Sequence, residues 1–304
     1  MTGHPHDLRL IALDLDGTLL GPQGAVSERN RRALLFAQEQ GAEIVISTGR
    51  RHAYAMRVLH GLGLDPASAL VSSNGTVLRT QAGKLLHRRQ MPASTTRWLC
   101  EYLQEFRSTL VMTFDRVDAS GEETRGALVV EDLPRLMGSI NAWIRANEPS
   151  LLQVERLEDA LHDEAPIQMM LCGSVERMRR AEARLLEHPG VCAPDTPWPS
   201  APAATEVALH RTEYPARDLA ILDILPAGCS KAAALEELCR RRGCTPAQVL
   251  AIGDNWNDTA MLDFAGHARL MANAPEDLKA LKRWPLTADH AEDGVAVALE
   301  QLLA

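Results

Sequence analysis

Lysine is scarce in this 304-residue chain: four stand against 28 arginines, so a lysine kept where arginine is the habit points to a need for a compact point charge. Cysteine is sparse and scattered. The six, Cys100, Cys172, Cys192, Cys229, Cys239 and Cys244, include no CxxC pair, so neither a thiolate zinc site nor a disulfide framework is indicated. They are expected to be reduced and mostly buried. Aromatics make up only 4%, no basic run is interleaved with them, and the formal charge is −8, which argues against a dedicated nucleic-acid binder. No apolar run reaches the length of a bilayer span, and MTGHPHDLRL lacks the charged-then-apolar pattern of a leader, so the expected compartment is the cytoplasm. There is no GxxxxGK[ST] loop, and no GxGxxG follows the first apolar run.

Against these absences stands an ordinary globular composition, 46% apolar and 24% charged, long enough for two domains or one large one. The N-terminal part alternates strand and helix. LRLIALDLD predicts a strand; Ser27 can cap a helix through Gln40, with Gly41 just past its end; AEIVIST and SALVSSNG predict two further strands around a second helix. Such alternation implies an α/β fold, a Rossmann-like parallel sheet with crossover helices, whose ligands sit beyond the carboxyl ends of the strands.

From about Val77 to Asp223 the signal changes. RTQAGKL predicts a hairpin turn, ASTTRWLCEYLQEF and PRLMGSINAWIRA helices, STLVMTF, GALVVED, APIQMMLCG and LAILDIL strands, and CAPDTPWPSAPA a surface loop. This implies a second α/β domain, 84–223, inserted into a discontinuous core of 1–83 and 224–304. With 16 basic and 22 acidic residues over 84–224, the insert is no basic clamp. The first pattern then resumes: SKAAALEELCRRRG a helix, QVLAIGD a strand, NDTAMLDFA a helix, ARLMANA a strand, PEDLKALKR and DGVAVALEQLL helices.

Chemistry-bearing residues collect at the predicted strand ends: Asp14 and Asp16, then Thr48, then Lys231, then Asp254, Asn257 and Asp258 in GDNWND. Carboxylates gathered at one sheet edge repel one another unless a cation lies between them, and aspartate oxygens with room for water suit magnesium. Calcium loops fail on spacing. Counted from Asp14, the sixth and twelfth positions are Leu19 and Ala25; from Asp254 they are Thr259 and Ala265, where Gly and Glu are required. A threonine hydroxyl and turn amides suit a phosphate. Taken singly, STGR and SSNG are common turn chemistry; two buried strands that both end in clustered acids carry more weight.

DLDGTLL, STGR, SSNGT, CSKAAAL and GDNWNDTAML, in that order, resemble the haloacid dehalogenase superfamily, in particular its Cof-type phosphatases with a large inserted α/β cap. The resemblance implies that Asp14 is a nucleophile forming a phosphoaspartate. It implies that Asp16 protonates the leaving alcohol and then takes a proton from the hydrolytic water. Thr48 and Lys231 would hold and neutralise the phosphoryl group, with Gly49, Arg50, Asn74 and Asn257 contributing to phosphate or substrate binding. Mg2+ would sit on Asp14, the main-chain carbonyl of Asp16 and Asp254, with Asp258 near it; Asn273 matches a further motif residue. MANA and His290 replace the family's MGNA and a C-terminal Asn. The implied substrate is a small phosphorylated metabolite, a sugar phosphate or cofactor phosphate. The alternatives are a specialised sucrose-phosphate or mannosyl-phosphoglycerate type of phosphatase, a phosphotransferase, or a metabolite-binding module without turnover. Trp98, Trp143 and Trp198 are candidates for specificity, although packing or surface roles suit them better.

Overall fold

The structure, a computed structural model, describes residues 8–118, 122–162, 164–193, 204–214 and 217–303. Most of the predicted Pro-rich loop, with Trp198, lies outside the described residues, as does the N-terminal heptapeptide. The elements begin with β1 (Leu10–Leu13), α1 (Glu28–Glu39), β2 (Glu43–Ser47), α2 (His52–Leu59), β3 (Ala69–Ser72), β4 (Val77–Thr80) and β5 (Leu85–Arg88). Next come α3 (Ala93–Tyr102), β6 (Leu110–Thr113), β7 (Leu128–Val130), α4 (Leu133–Asn147), β8 (Leu151–Gln153), β9 (Gln168–Gly173), α5 (Val175–Leu186), β10 (Val191–Cys192), β11 (Val207–Tyr214) and β12 (Leu219–Pro226). The chain closes with α6 (Lys231–Arg242), β13 (Val249–Gly253), α7 (Thr259–Phe264), β14 (His267–Leu270), α8 (Glu276–Ala280) and α9 (Gly294–Leu303). Two compact units result: Met1–His87 with Ser230–Ala304, and Arg88–Cys229.

In the first unit the sheet order is β14-β13-β1-β2-β3-β4-β5. All pairs from β14 to β3 are parallel, and β4 turns back antiparallel on β3. Alternate residues of each strand face opposite layers. Ile11, Leu13, Ile44, Ile46 and Ile252 pack with residues of α1, α2 and α9, while Leu10, Ala12, Val45 and Ala251 pack with residues of α6, α7 and α8. Because both faces are covered, the strands read as unbroken apolar runs. Ser27 caps α1 by accepting from the Asn30 amide at 3.0 Å, and Gly41 follows at φ +93°, a left-handed turn that glycine adopts without strain. The RTQAGKL hairpin extends this first sheet: the Thr80 amide donates to the Lys84 carbonyl at 2.9 Å, and β5 lies beside β4.

The second unit is built on its own sheet, ordered β10-β11-β12-β9-β6-β7-β8. Residues of α3 and α5 pack on one face with Met112, Met169, Leu171, Leu209 and Leu222, and those of α4 on the other with Val111, Val130, Met170 and Cys172. Five of the six cysteines are buried and none is in a disulfide. Among the described residues no helix is long and apolar enough to cross a membrane.

Ile11 is fully buried at the centre of the first sheet, so Ile11→Ala should cost about 2–5 kcal/mol, read as a lowered urea midpoint. A midpoint equal to wild type would contradict this packing.

Candidate active site

The parallel ladder lines up four strand ends. β1 pairs with β13 and β2 so that Leu13 lies opposite Ile252 and Ile46, and the Asp14 amide continues the ladder to the Ile252 carbonyl at 2.9 Å. Thr48 leaves β2 with its amide on the Val71 carbonyl at 2.9 Å, and the Asn74 amide returns to the Thr48 carbonyl at 3.0 Å. Asp254, Asp14, Thr48 and Asn74 therefore emerge at the carboxyl edge of adjacent strands.

Lys231 reaches the same edge from the start of α6. Ser230 caps that helix by accepting from the Ala233 amide at 3.0 Å. Lys231 is 1% exposed, and its Nζ donates to Asp14 Oδ1 at 2.5 Å and Asp258 Oδ1 at 2.6 Å. This approach depends on Gly75, at φ +100°: a Cβ there would collide with the Ser230 carbonyl. The other oxygen of Asp258 accepts the main-chain amides of Asp254 and Asn255 at 3.0 and 3.1 Å. Asp258 thus ties the β13 turn to the lysine.

Asp14, Asp254 and Asp258 offer carboxylate oxygens within 4.8 Å of one another, all buried. Burial pushes the Asp14 carboxyl up to about 7, helped by Asp258 and Asp16 and opposed by the Lys231 ammonium. Asp254 is raised well above the ordinary carboxylate range, first by burial, then by Asp14 and Asp258. Burial pulls Lys231 down, but Asp14 and Asp258 outweigh it and hold the ammonium above the ordinary lysine value. Three buried acids facing one buried lysine leave uncompensated negative charge, and a donor set of carboxylate oxygens alone fits a hard divalent cation.

The fourth acid stands apart from this triad. Asp16 accepts a two-pronged bond from Arg50, Nε to Oδ2 at 2.7 Å and Nη2 to Oδ1 at 2.5 Å, which leaves its main-chain carbonyl for the cation role that the resemblance implied. Arg50 was expected on the phosphate, yet its guanidinium is engaged here. Thr48 Oγ1 accepts the Arg50 amide at 3.1 Å. Asn257 Nδ2 donates to Asn74 Oδ1 at 3.2 Å, and a Cβ at Gly49 would sit 3.2 Å from Asn74 Nδ2, so these three form one neighbourhood. Asn273 donates to the Gly17 carbonyl at 2.8 Å and accepts the His290 amide at 3.0 Å, while His290 Nδ1 lies 2.9 Å from the Leu20 carbonyl. The replaced histidine therefore braces the turn that carries Asp14 and Asp16.

Two contributors were not singled out from sequence. Thr18 Oγ1 donates to Asp254 Oδ1 at 3.0 Å, and its place in DLDGT was the available signal. Tyr54 lies with its ring centroid 4.8 Å from the Arg50 guanidinium carbon, a pairing without local signal. In the second unit, Trp98 stacks on His188 at 4.2 Å and donates to Glu206 at 3.1 Å, and Trp143 packs against the α4 cluster.

A profile of the haloacid dehalogenase-like hydrolases matches residues 11–299. The chain belongs to that family. This haloacid dehalogenase-like hydrolase is 28% identical over 310 aligned positions to Phosphatase YwpJ of Bacillus subtilis, covering 97% of this chain and 100% of the relative. It is 26% identical to the 5-amino-6-(5-phospho-D-ribitylamino)uracil phosphatase YwtE of the same organism, over 98% of this chain and 99% of the relative. An HMP-PP phosphatase of Escherichia coli O1:K1 is 26% identical, over 90% of this chain and 87% of its own. The fold of this chain is shared with a haloacid dehalogenase-like hydrolase from B. subtilis, TM-score 0.76 at 24% identity, over 97% of this chain and 100% of that one. A second, from Bacteroides thetaiotaomicron, has TM-score 0.73 at 24% identity, over 97% and 99%. The hydrolase is an enzyme of the phosphoric monoester hydrolase class.

An acid whose folded-state value lies above its ordinary 3.8 keeps its proton in the fold after the unfolded chain has lost it, so Asp14 makes stability fall as pH rises from about 4 to about 7. In chelator-treated protein, urea midpoints of Asp14→Asn should therefore decline less steeply over that window than those of wild type. Parallel profiles would contradict the burial of an Asp14 charge.

Proposed function

We propose that this hydrolase is a Mg2+-dependent phosphatase that cleaves a small phosphorylated metabolite, a sugar or cofactor phosphate, through a phosphoaspartate on Asp14. The reading is carried by one observation: Lys231 is buried against Asp14 and Asp258, with Asp254 completing an acid triad within 4.8 Å. Magnesium held by Asp14, Asp254 and the Asp16 carbonyl, with Asp258 beside it, would supply positive charge against the phosphoryl oxygens. Phosphoryl transfer asks the protein chiefly for in-line positioning and charge.

Each residue then has a task that its surroundings suit. Lys231 occupies Asp14 Oδ1, so Oδ2 is the oxygen that attacks phosphorus, and the ammonium offsets charge on the arriving group. As the new Asp14 oxygen–phosphorus bond forms, the ester oxygen leaves and takes a proton from Asp16, which is left as a carboxylate ready to serve as the base of the second step. Thr48 and the neighbouring Gly49, Asn74 and Asn257 hold phosphoryl oxygens. Water then attacks phosphorus, gives its proton to Asp16 and frees Asp14; dividing the hydrolysis in this way makes two easier displacements.

Two lines support the substrate class. The curated relatives include phosphatases named for HMP-PP and for a phosphorylated ribitylaminouracil, both small metabolites. Every residue given a catalytic, phosphate-binding or metal-holding task lies in the first unit, so selection of the leaving group is assigned to Arg88–Cys229. Adding acceptor alcohols to a panel of phosphate esters separates hydrolysis from transfer, because a transferase yields a new ester in place of free phosphate.

With p-nitrophenyl phosphate and magnesium, wild type should release nitrophenol, chelator should stop it, and Asp14→Asn should lower kcat by about 10³-fold or more. Equal rates in the two proteins would remove Asp14 as nucleophile.

A further inference from the structure

Arg50 is held from three sides. Its amide is bonded to Thr48 Oγ1 at 3.1 Å, its guanidinium forks onto both Asp16 oxygens, and the guanidinium carbon lies 4.8 Å from the Tyr54 ring centroid. The other side of this arrangement is also fixed, because Arg57 lies 5.3 Å from the same ring and Tyr54 sits within α2. Asp16, by contrast, has a side chain 42% exposed, on a turn where a carboxyl would otherwise sample several rotamers. A planar fork fixes both the position and the plane of a carboxylate, which a lysine cannot do.

We propose that Arg50, braced by Tyr54, is a positioning residue for Asp16, aiming its carboxyl at the leaving-group oxygen, and is not primarily a ligand of the phosphate. The inference rests on the phosphatase reading above. In the step concerned, the Asp14 oxygen–phosphorus bond forms, the ester bond breaks, and the leaving oxygen takes the Asp16 proton. Nitrophenolate departs without that proton. Phenolate, the anion of a phenol whose pKa is about 10, needs it. Loss of positioning therefore penalises poor leaving groups selectively, whereas loss of a phosphate ligand penalises all esters alike.

The test is kcat/KM for phenyl phosphate and p-nitrophenyl phosphate, which reports the step up to ester cleavage, in wild type, Arg50→Lys, Arg50→Gln and Tyr54→Leu. We expect the phenyl-to-nitrophenyl ratio to fall about tenfold or more in Arg50→Gln, a part of the range of a general acid, and by less in Arg50→Lys and Tyr54→Leu. Asp16→Asn should shift the ratio in the same direction. Equal factors for both esters, with weaker inhibition by inorganic phosphate, would assign Arg50 to the phosphate and overturn the inference while leaving the phosphatase intact. Wild type inactive on both esters would overturn both. Tyr54→Leu leaves the fork atoms in place, so a ratio shift in that variant is independent of any folding defect in the Arg50 variants.

Discussion

The structure of the site depends on one buried ammonium group. Lys231 lies between Asp14 and Asp258 with no solvent around it, and isolated charges at such depth carry a desolvation cost of several kcal/mol each. The pair geometry offsets that cost only while all partners are in place. Deleting one partner strands the others, which typically costs about 3–5 kcal/mol. The scarcity of lysine in the chain fits this position: the compact head enters a space between two carboxylates that a planar guanidinium would not fill.

That placement constrains the rest of the first unit. Gly75 must lack a side chain so that the β3–β4 turn can meet the start of α6, and Gly253 likewise, since a Cβ there would lie 2.5 Å from Asp258 Cβ. Asp258 spends one oxygen on the lysine and the other on two amides, so the β13 turn and α6 are fixed to each other through a single carboxylate. Asp254, held by Thr18, faces Gly17 across the β1 turn. Uncompensated acid at this edge fits a hard divalent cation, which on the proposed reading would supply the positive charge that a phosphoryl group needs.

Much of this was legible in the residues. β1, β2, β3 and β13 could be read because a strand buried on both faces is an apolar run, and each stops abruptly at polar turn residues. The acids, Thr48 and Lys231 were visible as residue types; that Asp14 and Asp254 meet follows from the parallel register of β1 on β13, and Lys231 joins Asp14 from the start of α6. The second unit was harder to read. α5, VERMRRAEARLL, is hard to read because its apolar stripe, Val175, Met178, Ala181 and Leu185, is set amid charge. β11 has an apolar first half and charges in its second, and those charges find partners on α5: Arg211 with Glu182, Glu213 with Arg179. Each segment looks polar alone and makes sense only against the other. PEDLKALKR forms a helix of only five residues, Glu276–Ala280, and Lys282 follows at φ +51°. The Arg50–Asp16 fork was equally hidden, since neither residue announces its partner.

The most direct test of the account is the site of covalent phosphorylation during turnover. Reaction of the enzyme with a 32P-labelled ester and magnesium, stopped in acid within a turnover and mapped by peptide, should place an acid-stable, base-labile label on the peptide containing Asp14. Label on any other peptide, or turnover with no labelled protein at any quench time, would contradict it.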